Sequence, residues 1–258
     1  MKYRESARIL ACSRIATDIF SITLATDQIA AATVPGQFVS VYTQDSASLL
    51  PRPISVCEAD EKSGALRLVF RVVGKGTLEF SRRKEGERLD IVGPLGNGFP
   101  LDASVDAEKV FVIGGGIGIP PMLELARRLS AGKAGVTAVL GYRDELFLRD
   151  DFPCETIVAT EDGSCGTKGT VLDAIREHGI AADVIYACGP APMLRALKQY
   201  AMESGTQCWL SMEEKMACGI GACLSCVCRS VQVDEHSQVK NRRICTEGPV
   251  FLSTDIEL

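Results

Sequence analysis

Five cysteines near the C-terminus have a spacing that indicates metal chemistry: Cys218, Cys223, Cys226, Cys228 and Cys245. The first three are separated by four residues and then by two, which is the spacing of three plant-type [2Fe–2S] ligands, whose fourth thiolate comes from further along the chain. Gly219 and Gly221 lie between the first two cysteines, where a loop that wraps an inorganic core has no room for bulky side chains. The pattern predicts a site that moves single electrons.

Structural zinc and disulfides are the alternatives for these cysteines. Cysteine-only sites also hold zinc, but zinc fingers usually pair their ligands as two separated Cys-x-x-Cys units, unlike the uneven run here. No apolar run of signal-peptide length follows Met1, and the total of 11 cysteines is odd. These observations favour an iron–sulfur site and predict a reducing, cytoplasmic location.

The fourth ligand is either Cys228 or Cys245. Between Cys226 and Cys228 there is a single residue, and an extended backbone would direct the two side chains to opposite faces. Cys245 lies in a turn-rich segment, residues 243–249, that can fold back over the loop. We therefore predict that Cys228 is a buried small apolar residue. The predicted ligands are Cys218, Cys223, Cys226 and Cys245.

Length and composition restrict the possible classes of protein. The 258 residues exceed a typical domain, 46% of them are hydrophobic and 24% are charged, and the net charge is -5. This acidic balance gives no reason to expect nucleic acid as a partner, because nucleic-acid binders carry basic patches. No uninterrupted apolar segment reaches membrane-spanning length, so no membrane association is expected.

Three successive patterns divide the chain at residues 1–102, 103–206 and 207–258. The first part carries short β-branched and aromatic runs at 19–25, 37–43 and 65–73, separated by glycine-containing turns, which predicts an antiparallel β-barrel. In the second part, strands (109–113, 136–141, 156–160, 183–187) alternate with helices (120–129, 171–177, 192–203), which predicts a Rossmann-like α/β domain with a parallel sheet. The third part is a small cluster module. The predicted fold class is thus multidomain, β plus α/β.

A glycine-rich turn follows the first strand of the α/β part and contains Gly114, Gly115, Gly116 and Gly118. Glycines at this point let backbone amides approach a pyrophosphate at a helix N-terminus. Ile119 stands where the dinucleotide fingerprint has its third glycine, so a tight strand–helix turn without a ligand is the alternative. A later strand ends at Cys188, Gly189 and Pro190, where ligands bind in such sheets and a nicotinamide ring would find a flat opening.

Two stretches of the barrel part carry groups for phosphate and ring atoms. One contains Arg52, Pro53, Ile54 and Ser55, in which an arginine and a serine flank a rigid step. In the other, Gly76 and Thr77 belong to a glycine-rich turn with backbone amides and a hydroxyl suited to phosphate oxygens. Taken alone, either stretch is typical of a solvated turn.

Together these segments resemble the ferredoxin-NADP reductase superfamily, in which a flavin-binding barrel precedes a nicotinamide-binding domain. Within it the chain resembles, over essentially its whole length, the electron transfer subunits of NAD-dependent dihydroorotate dehydrogenase. Residues 216–228 and 245–251 carry the most specific likeness, and they support Cys245 as the fourth ligand. Ile54 departs from the wider superfamily, which usually has an aromatic residue there.

The resemblance implies FAD in the barrel, a [2Fe–2S] cluster and NAD as co-substrate. Arg52 to Ser55 would contact the isoalloxazine and ribityl groups, and Gly76 and Thr77 the pyrophosphate. The residues that would line the site are Val69, Phe70 and Arg71. The implied partner is an FMN-containing catalytic subunit that oxidises dihydroorotate to orotate in pyrimidine synthesis, in a heterotetramer of two plus two subunits.

The implied path runs from that FMN through the cluster to FAD and then, as hydride, to NAD. A nicotinamide takes two electrons and a [2Fe–2S] centre takes one, so a flavin must stand between them. No catalytic residue is predicted, because the sequence shows no general base for dihydroorotate and the subunit would only relay electrons. Asp144 and Glu145 would repel a 2′-phosphate and predict NAD over NADP, although Arg143 argues for the opposite preference.

Other proteins of the superfamily supply an alternative function. The small FAD and [2Fe–2S] subunits of electron-bifurcating ferredoxin:NADP oxidoreductases, hydrogenases and sulfur reductases share the same parts. Some of them have a fourth ligand other than cysteine, so Cys245 favours dihydroorotate dehydrogenase. A zinc-bound scaffold without redox activity is the alternative from a different class.

Overall fold

The computed structural model describes residues 1–45, 47–233 and 238–258, and its N-terminal part is a closed antiparallel barrel. Within the described residues its strands follow the order β1-β2-β5-β4-β3-β6. They are β1 (Tyr3–Ala16), β2 (Ile19–Ala25), β3 (Phe38–Val41), β4 (Arg52–Asp60), β5 (Ala65–Arg71) and β6 (Arg88–Leu95). Two short helices, α1 (Ile29–Ala32) and α2 (Lys75–Ser81), accompany them. The predicted barrel is confirmed.

The barrel closes around a core of alternating inward side chains. Ile22 and Leu24 on β2 face the interior together with Leu66 and Leu68 on β5, and each is at most 1% exposed. In β-strands successive side chains point to opposite faces, so this alternation sets the register of each strand. Strand β1 was not predicted, since polar and charged residues are frequent along it and many of its residues are exposed.

The second part is a sheet with helices on both faces, as predicted. Its strands are β7 (Lys109–Gly115), β8 (Gly135–Tyr142), β9 (Glu155–Thr160), β10 (Thr167–Lys168), β11 (Val184–Cys188) and β12 (Gln207–Ser211). The helices are α3 (Pro120–Ser130), α4 (Val171–Glu177) and α5 (Ala191–Ser204). Buried residues of α3 pack against one face, and those of α4 and α5 against the other. Among the described residues no helix is both long and apolar enough to cross a membrane.

The sheet extends into the part of the sequence that carries the cysteines. Strand β12 pairs in parallel with β11, and β15 (Val250–Leu252) pairs antiparallel with β12 at the edge. The chain between them contains the cysteines and a small hairpin, β13 (Val227–Arg229) and β14 (Asn241–Arg243). The two ends of residues 207–258 are therefore strands of the α/β sheet, and the cysteine segment is a long insertion between them.

Register aligns the carboxyl ends of the central strands. Cys188 at the end of β11 lies opposite Gly114 of β7 on one side and opposite Ser211 of β12 on the other. Ligands of open α/β sheets bind outside the carboxyl ends of the strands. The glycine turn (residues 114–118), the Cys188 turn (residues 188–190) and the start of the cysteine segment therefore meet at the carboxyl ends of these strands.

A partly buried charge cluster joins the barrel to the α/β part. Arg67 of β5 contacts Glu58 of β4 at 2.5 Å and Asp151 at 3.0 Å, and Arg127 of α3 also contacts Glu58. The side chains of Arg67 and Glu58 are 24% and 16% exposed, so water screens them incompletely. The cluster holds β4, β5 and α3 together and so helps to fix how the two parts are oriented.

We expect Arg67→Met to lower the free energy of unfolding by about 2 kcal/mol, because Asp151 loses this guanidinium partner and the partly buried Glu58 keeps only Arg127. Arg176→Met is the matched control, since Arg176 pairs with Asp173 on the surface, at 66% and 46% exposure. The control should cost less than about 0.5 kcal/mol. Urea unfolding of both variants measures the difference, and equal losses would contradict the structural role given to Arg67.

Candidate functional site: a cleft beside a cysteine loop

One cleft lies where the barrel, the α/β sheet and the cysteine segment meet. Ile117 of the glycine turn contributes to it, as do Met212, Glu213 and Met216, which precede the first cysteine of the loop. The barrel wall of the cleft contains most of the residues predicted for a flavin: Arg52, Pro53, Ile54, Ser55, Val69, Phe70, Arg71 and Thr77. The structure therefore brings these predicted residues together on one surface.

Gly76 makes room for the guanidinium of Arg52 at the first turn of α2. A Cβ on Gly76 would lie 2.6 Å from Arg52 Nε, a contact that real side chains do not make. Arg52 is further oriented by donating to the carbonyl of Leu50. The first turn of a helix has amides without intrahelical partners, so a guanidinium and free N–H groups converge here. This donor set fits the diphosphate of a flavin dinucleotide.

Thr77 stabilises the same turn through its hydroxyl. Its Oγ1 accepts hydrogen bonds from the amides of Val73 at 3.0 Å and Gly74 at 3.3 Å, and the residue is 6% exposed. The hydroxyl is thus already used to shape the loop that leads into α2. We infer that Thr77 would offer a phosphate its backbone amide rather than a free hydroxyl.

The glycine turn is closely packed against the Cys188 turn. A Cβ on Gly118 would lie 2.4 Å from the carbonyl oxygen of Cys188, and one on Gly115 would lie 2.5 Å from Met193 Sδ and 3.1 Å from Pro190 Cδ. A Cβ on Gly189 would meet the end of Met193 as well, at 2.5 Å. Gly118 is therefore required by the backbone of the facing turn, whereas the nearest atoms at Gly115 and Gly189 belong to the flexible end of Met193, which can move aside.

Two other glycines of the turn have different surroundings. Gly114 is enclosed by Ile119, whose Cα lies 2.8 Å from the position of a Cβ. Gly116 has a φ of +53°, and no atom lies within 4 Å of its Cβ position. Gly116 is therefore the glycine that faces open space, and its conformation is one that other residues adopt rarely.

Gly116 borders a second cleft, formed by the barrel and the strand ends of the sheet. Asp18, Arg71, Arg143 and Asp144 contribute to it. Arg71 also borders the first cleft, so the two clefts adjoin at this side chain.

Glu145 also borders the second cleft, where its carboxylate is already engaged. Its Oε2 accepts a hydrogen bond of 2.8 Å from the amide of Thr17, and this bond holds the pKa of the carboxyl below its usual range. Asp144 accepts a bond of 2.7 Å from the amide of Glu145. Each of the two predicted carboxylates thus accepts one backbone hydrogen bond, Glu145 from the barrel and Asp144 from the residue that follows it.

The Cys188 side chain is buried and stays protonated. It is 1% exposed, and burial followed by the charge of Glu213 raises the pKa of its thiol. A neutral thiol at this position packs as a small apolar group. It does not act as a nucleophile, because thiolate character is what makes cysteine reactive.

Sequence reasoning missed two residues of the site, Glu213 and Asn97. Glu213 follows the end of β12, and burial of its carboxyl in the cleft raises the pKa above the usual range. Asn97 lies in a turn of the barrel and donates from Nδ2 to the carbonyls of Thr246 and Glu247, at 3.1 and 3.0 Å. Neither residue belongs to a recognisable motif, and only the fold brings them to the cysteine segment.

The predicted ligand thiols lie as two neighbouring pairs. Cys223 lies close enough to Cys218 to lower the pKa of its thiol, and Cys226 lies close enough to Cys245 to raise the pKa of its thiol. In the described parts of the chain, no three His, Cys, Asp or Glu side chains converge on a single-ion site. A [2Fe–2S] cluster has four thiolates shared between two irons, and two adjacent pairs fit that requirement.

Backbone amides of the loop favour the thiolate form of Cys218. Burial alone would raise its pKa, but hydrogen bonds from the amide of Ile220, from Cys223 and from the amide of Ala222 outweigh burial and lower the pKa to about 6. The amide of Ala222 lies 3.3 Å from Cys218 Sγ. Since metal ligands must be deprotonated, this arrangement prepares the loop for iron.

Cys245 differs, because burial and then the thiol of Cys226 raise its pKa to about 12. Its segment is nevertheless held against the ligand loop: a Cβ on Gly221, at a φ of +89°, would lie 2.7 Å from Cγ2 of Thr246. Gly219 has a φ of +67°, and a Cβ at this position would lie 2.8 Å from Ser40 Oγ of the barrel. Both glycines are thus required by close approach and by conformation.

Comparisons with known proteins agree with this geometry. Residues 8–99 match the family model of the oxidoreductase FAD-binding domain, and residues 213–257 match that of the iron–sulfur cluster binding domain of dihydroorotate dehydrogenase B. The chain is 42% identical, over 100% of both proteins, to the dihydroorotate dehydrogenase B (NAD(+)) electron transfer subunit of Geobacillus sp. (strain WCH70). The chain belongs to this family. The subunit of Geobacillus thermodenitrificans (strain NG80-2) is 40% identical over 99% of both chains.

Solved structures share the architecture of this electron transfer subunit family. An NADH-dependent reduced ferredoxin-NADP oxidoreductase, described in work on electron bifurcation, superposes with a TM-score of 0.87 at 29% identity, covering 98% of this chain and 90% of the other. A ferredoxin NADP+ reductase from Neisseria gonorrhoeae, at 16% identity and a TM-score of 0.64 over 78% and 92% of the two chains, shares the fold. The predicted superfamily, the oxidoreductase class and FAD and iron–sulfur cofactors are confirmed.

The choice between Cys245 and Cys228 is open to direct test. Cys228 lies on β13, is 8% exposed and packs in the same apolar core as Phe38 and Ile244. We expect Cys245→Ala to abolish the cluster absorption and bound iron of the chain, whereas Cys228→Ala retains both. Iron and sulfide analysis of the two purified variants checks this expectation. Normal iron content in Cys245→Ala would contradict the ligand assignment.

Proposed function

We propose that this chain relays electrons between NAD and the catalytic subunit of a dihydroorotate dehydrogenase. The observation that supports the proposal is the single cleft whose walls come from the barrel, the glycine turn and the segment that leads into the cysteine loop. FAD, when bound there, supplies the exchange between two-electron hydride transfer and one-electron transfer. The chain itself binds and orients the flavin, the nicotinamide and the cluster and keeps them apart.

In this proposal Arg52 and the first turn of α2 hold the diphosphate of FAD, while Val69 and Phe70 line the cleft beside its ring. Gly116 borders the space for the nicotinamide nucleotide and Pro190 packs beside the neighbouring Gly115, while Asp144 and Glu145 disfavour a 2′-phosphate. Burial raises the pKa of both the Cys188 thiol and the Glu213 carboxyl, which favours the neutral form of each group beside the proposed rings.

The ligand loop is packed directly on the barrel that would carry the flavin. Gly219 touches Ser40 of β3, and Cys226 and Cys245 share a core with Phe38 of β3 and Leu95 of β6. Phe38 also lines the flavin cleft. One barrel wall thus contacts both proposed cofactor sites, with a packed protein interior between them.

The finer assignments are part of the same proposal. The proposed ligands are Cys218, Cys223, Cys226 and Cys245 around a [2Fe–2S] cluster. The partner carries FMN, oxidises dihydroorotate to orotate, and assembles with this chain as a heterotetramer of two plus two subunits in the cytoplasm. The support is membership of the electron transfer subunit family.

An apolar surface next to the exposed cluster ligand is where we expect the catalytic subunit to dock. Cys223 is exposed, and Ile220 and Leu224 on either side of it are 53% and 61% exposed. Leu49, at 85% exposure, lines a groove whose opposite wall comes from the cysteine segment. A redox partner that covers this surface would bury apolar groups and approach the cluster at once.

Leu224 supports this assignment through its backbone. Its φ is +58°, which is uncommon for a residue other than glycine and gives an exposed leucine no benefit in the isolated chain. Strained residues of this kind concentrate at functional sites. The loop therefore holds an apolar side chain outward beside Cys223.

The relay is tested by Cys223→Ser, which removes a proposed ligand but no part of either nucleotide cleft. We expect the variant to lose dihydroorotate-dependent reduction of NAD in complex with the catalytic subunit. Reduction of ferricyanide by NADH should persist, because hydride transfer needs only FAD and nicotinamide. Undiminished partner-dependent turnover in a variant without a cluster would refute the relay.

The docking surface is tested by Leu224→Asn, since asparagine tolerates a positive φ and removes only the apolar contact. We expect about a tenfold weaker Kd for the catalytic subunit, the usual size of an interface contact worth more than 1 kcal/mol. Met202→Gln is the control, because Met202 is an exposed residue of α5, and it should leave the Kd unchanged. Titration calorimetry gives both values, and an unchanged Kd for Leu224→Asn would place the interface elsewhere.

A further inference from the structure

The hydroxyl of Thr246 is buried and has no hydrogen-bond partner among the described residues. Leaving a buried hydroxyl unsatisfied costs about 1 to 3 kcal/mol, and few buried polar groups in native proteins are left in that state. The hydroxyl is therefore expected to serve a group that the protein's own atoms do not supply.

Its position identifies the kind of group. Thr246 follows Cys245 directly, and its side chain lies against Gly221, between Cys218 and Cys223 in the sequence. The position of a Cβ on Gly221 is 2.7 Å from Cγ2 of Thr246 and 3.4 Å from its Oγ1. The hydroxyl thus lies between the two chain segments that carry the proposed ligands.

The neighbouring contacts hold Thr246 in this place. Its carbonyl accepts a hydrogen bond of 3.1 Å from Asn97 Nδ2, and the amide of Asn97 donates to the carbonyl of Gly248. Glu247 is tied to Arg243 by a contact of 3.0 Å between Oε2 and Nε. With the backbone fixed on both sides and its methyl group on Gly221, the threonine has little freedom to turn its hydroxyl toward solvent.

We propose that the Thr246 hydroxyl donates a hydrogen bond to a sulfur of the iron–sulfur cluster and thereby raises the reduction potential of the cluster. Reduction adds one electron, and the added negative charge is shared with the sulfurs. A donor stabilises the more negative, reduced form more than the oxidised form, and hydrogen bonds to sulfur are one of the controls of cluster potential. Thr246 is a positioning residue that tunes the cluster and exchanges neither electron nor proton.

This inference rests on the cluster ligands proposed above, and the two can fail separately. If the ligand assignment is wrong, Cys245→Ala retains its iron. If only the role of Thr246 is wrong, the wild-type ligands hold a normal cluster whose potential is insensitive to the hydroxyl.

The test is a potentiometric titration of the loaded chain, followed by electron paramagnetic resonance of the reduced cluster. Thr246→Val keeps the shape and removes the hydroxyl, and Thr246→Ser keeps the hydroxyl and removes the methyl group. We expect Thr246→Val to disfavour the reduced cluster about tenfold, which is about 59 mV for a one-electron couple. Thr246→Ser should stay near the wild-type potential.

Ser225→Ala supplies a control within the same loop. Ser225 is exposed, and its hydroxyl already donates to the carbonyl of Lys215 at 3.5 Å, so its removal should leave the potential unchanged. An unshifted potential in Thr246→Val, or an equal shift in Ser225→Ala, would overturn the assignment.

A Thr246→Val chain that fails to hold the cluster leaves a second comparison. Thr246→Ser and Thr246→Ala both lack the methyl group that contacts Gly221, and only the alanine variant lacks the hydroxyl. The proposal requires a lower potential in Thr246→Ala than in Thr246→Ser. It also requires that, in D2O, the reduced cluster of Thr246→Ala has one exchangeable deuteron fewer nearby than that of Thr246→Ser. Equal potentials and equal deuteron counts in the two variants would overturn the proposal.

Discussion

The pairing of strand β12 with β11 fixes the cysteine segment at the carboxyl ends of the sheet strands, beside the cleft. Strand β12 pairs in parallel with β11 and ends at Ser211, in register with Cys188, and the chain then passes directly into the cleft at Met212 and Glu213. Because the next residues form the cysteine loop, that loop is attached to the sheet edge at which nucleotides bind. After the cysteine segment, strand β15 pairs antiparallel with β12. The cysteine segment is therefore anchored to the sheet at both ends.

Close packing then joins this edge to the barrel. Glycines permit the contacts: Gly118 lies against Cys188, Gly76 against Arg52, and Gly219 against Ser40, each nearer than a side chain allows. Asn97 adds polar contacts from the barrel to the segment after Cys245. Protein interiors are densely packed and transmit small displacements, so these contacts set the positions of the proposed cofactor sites relative to one another. Function therefore depends on how the parts meet as much as on the residues in each.

The sequence was informative wherever the signal was local. The strand predicted at 19–25 and the helix predicted at 171–177 coincide with β2 and α4, because the periodicity of apolar side chains and the flanking turn residues define such elements. The cysteine spacing also drew attention to four thiols that the fold then arranges as two adjacent pairs. In contrast, the membership of β12 and β15 in the α/β sheet depends on pairing between distant segments, which leaves no local pattern.

The same reason explains the residues that were missed. Glu213 and Asn97 are ordinary polar residues in sequence, and the unpartnered hydroxyl of Thr246 is evident only once the cysteine segment is folded. The hydrogen bond from the amide of Thr17 to Glu145 joins segments 128 residues apart and was likewise not evident from the sequence. Spacing therefore identified the chemistry of the site, and the three-dimensional fold identified the groups that adjust it.

The most direct test of the relay is made on the chain purified together with its catalytic subunit. With dihydroorotate and NAD added in the absence of oxygen, we predict one NADH for each dihydroorotate oxidised, and none when either chain is omitted. A complex that holds flavin and iron yet forms no NADH from dihydroorotate would contradict it, and would move the partner to another electron donor of the kind used by bifurcating oxidoreductases.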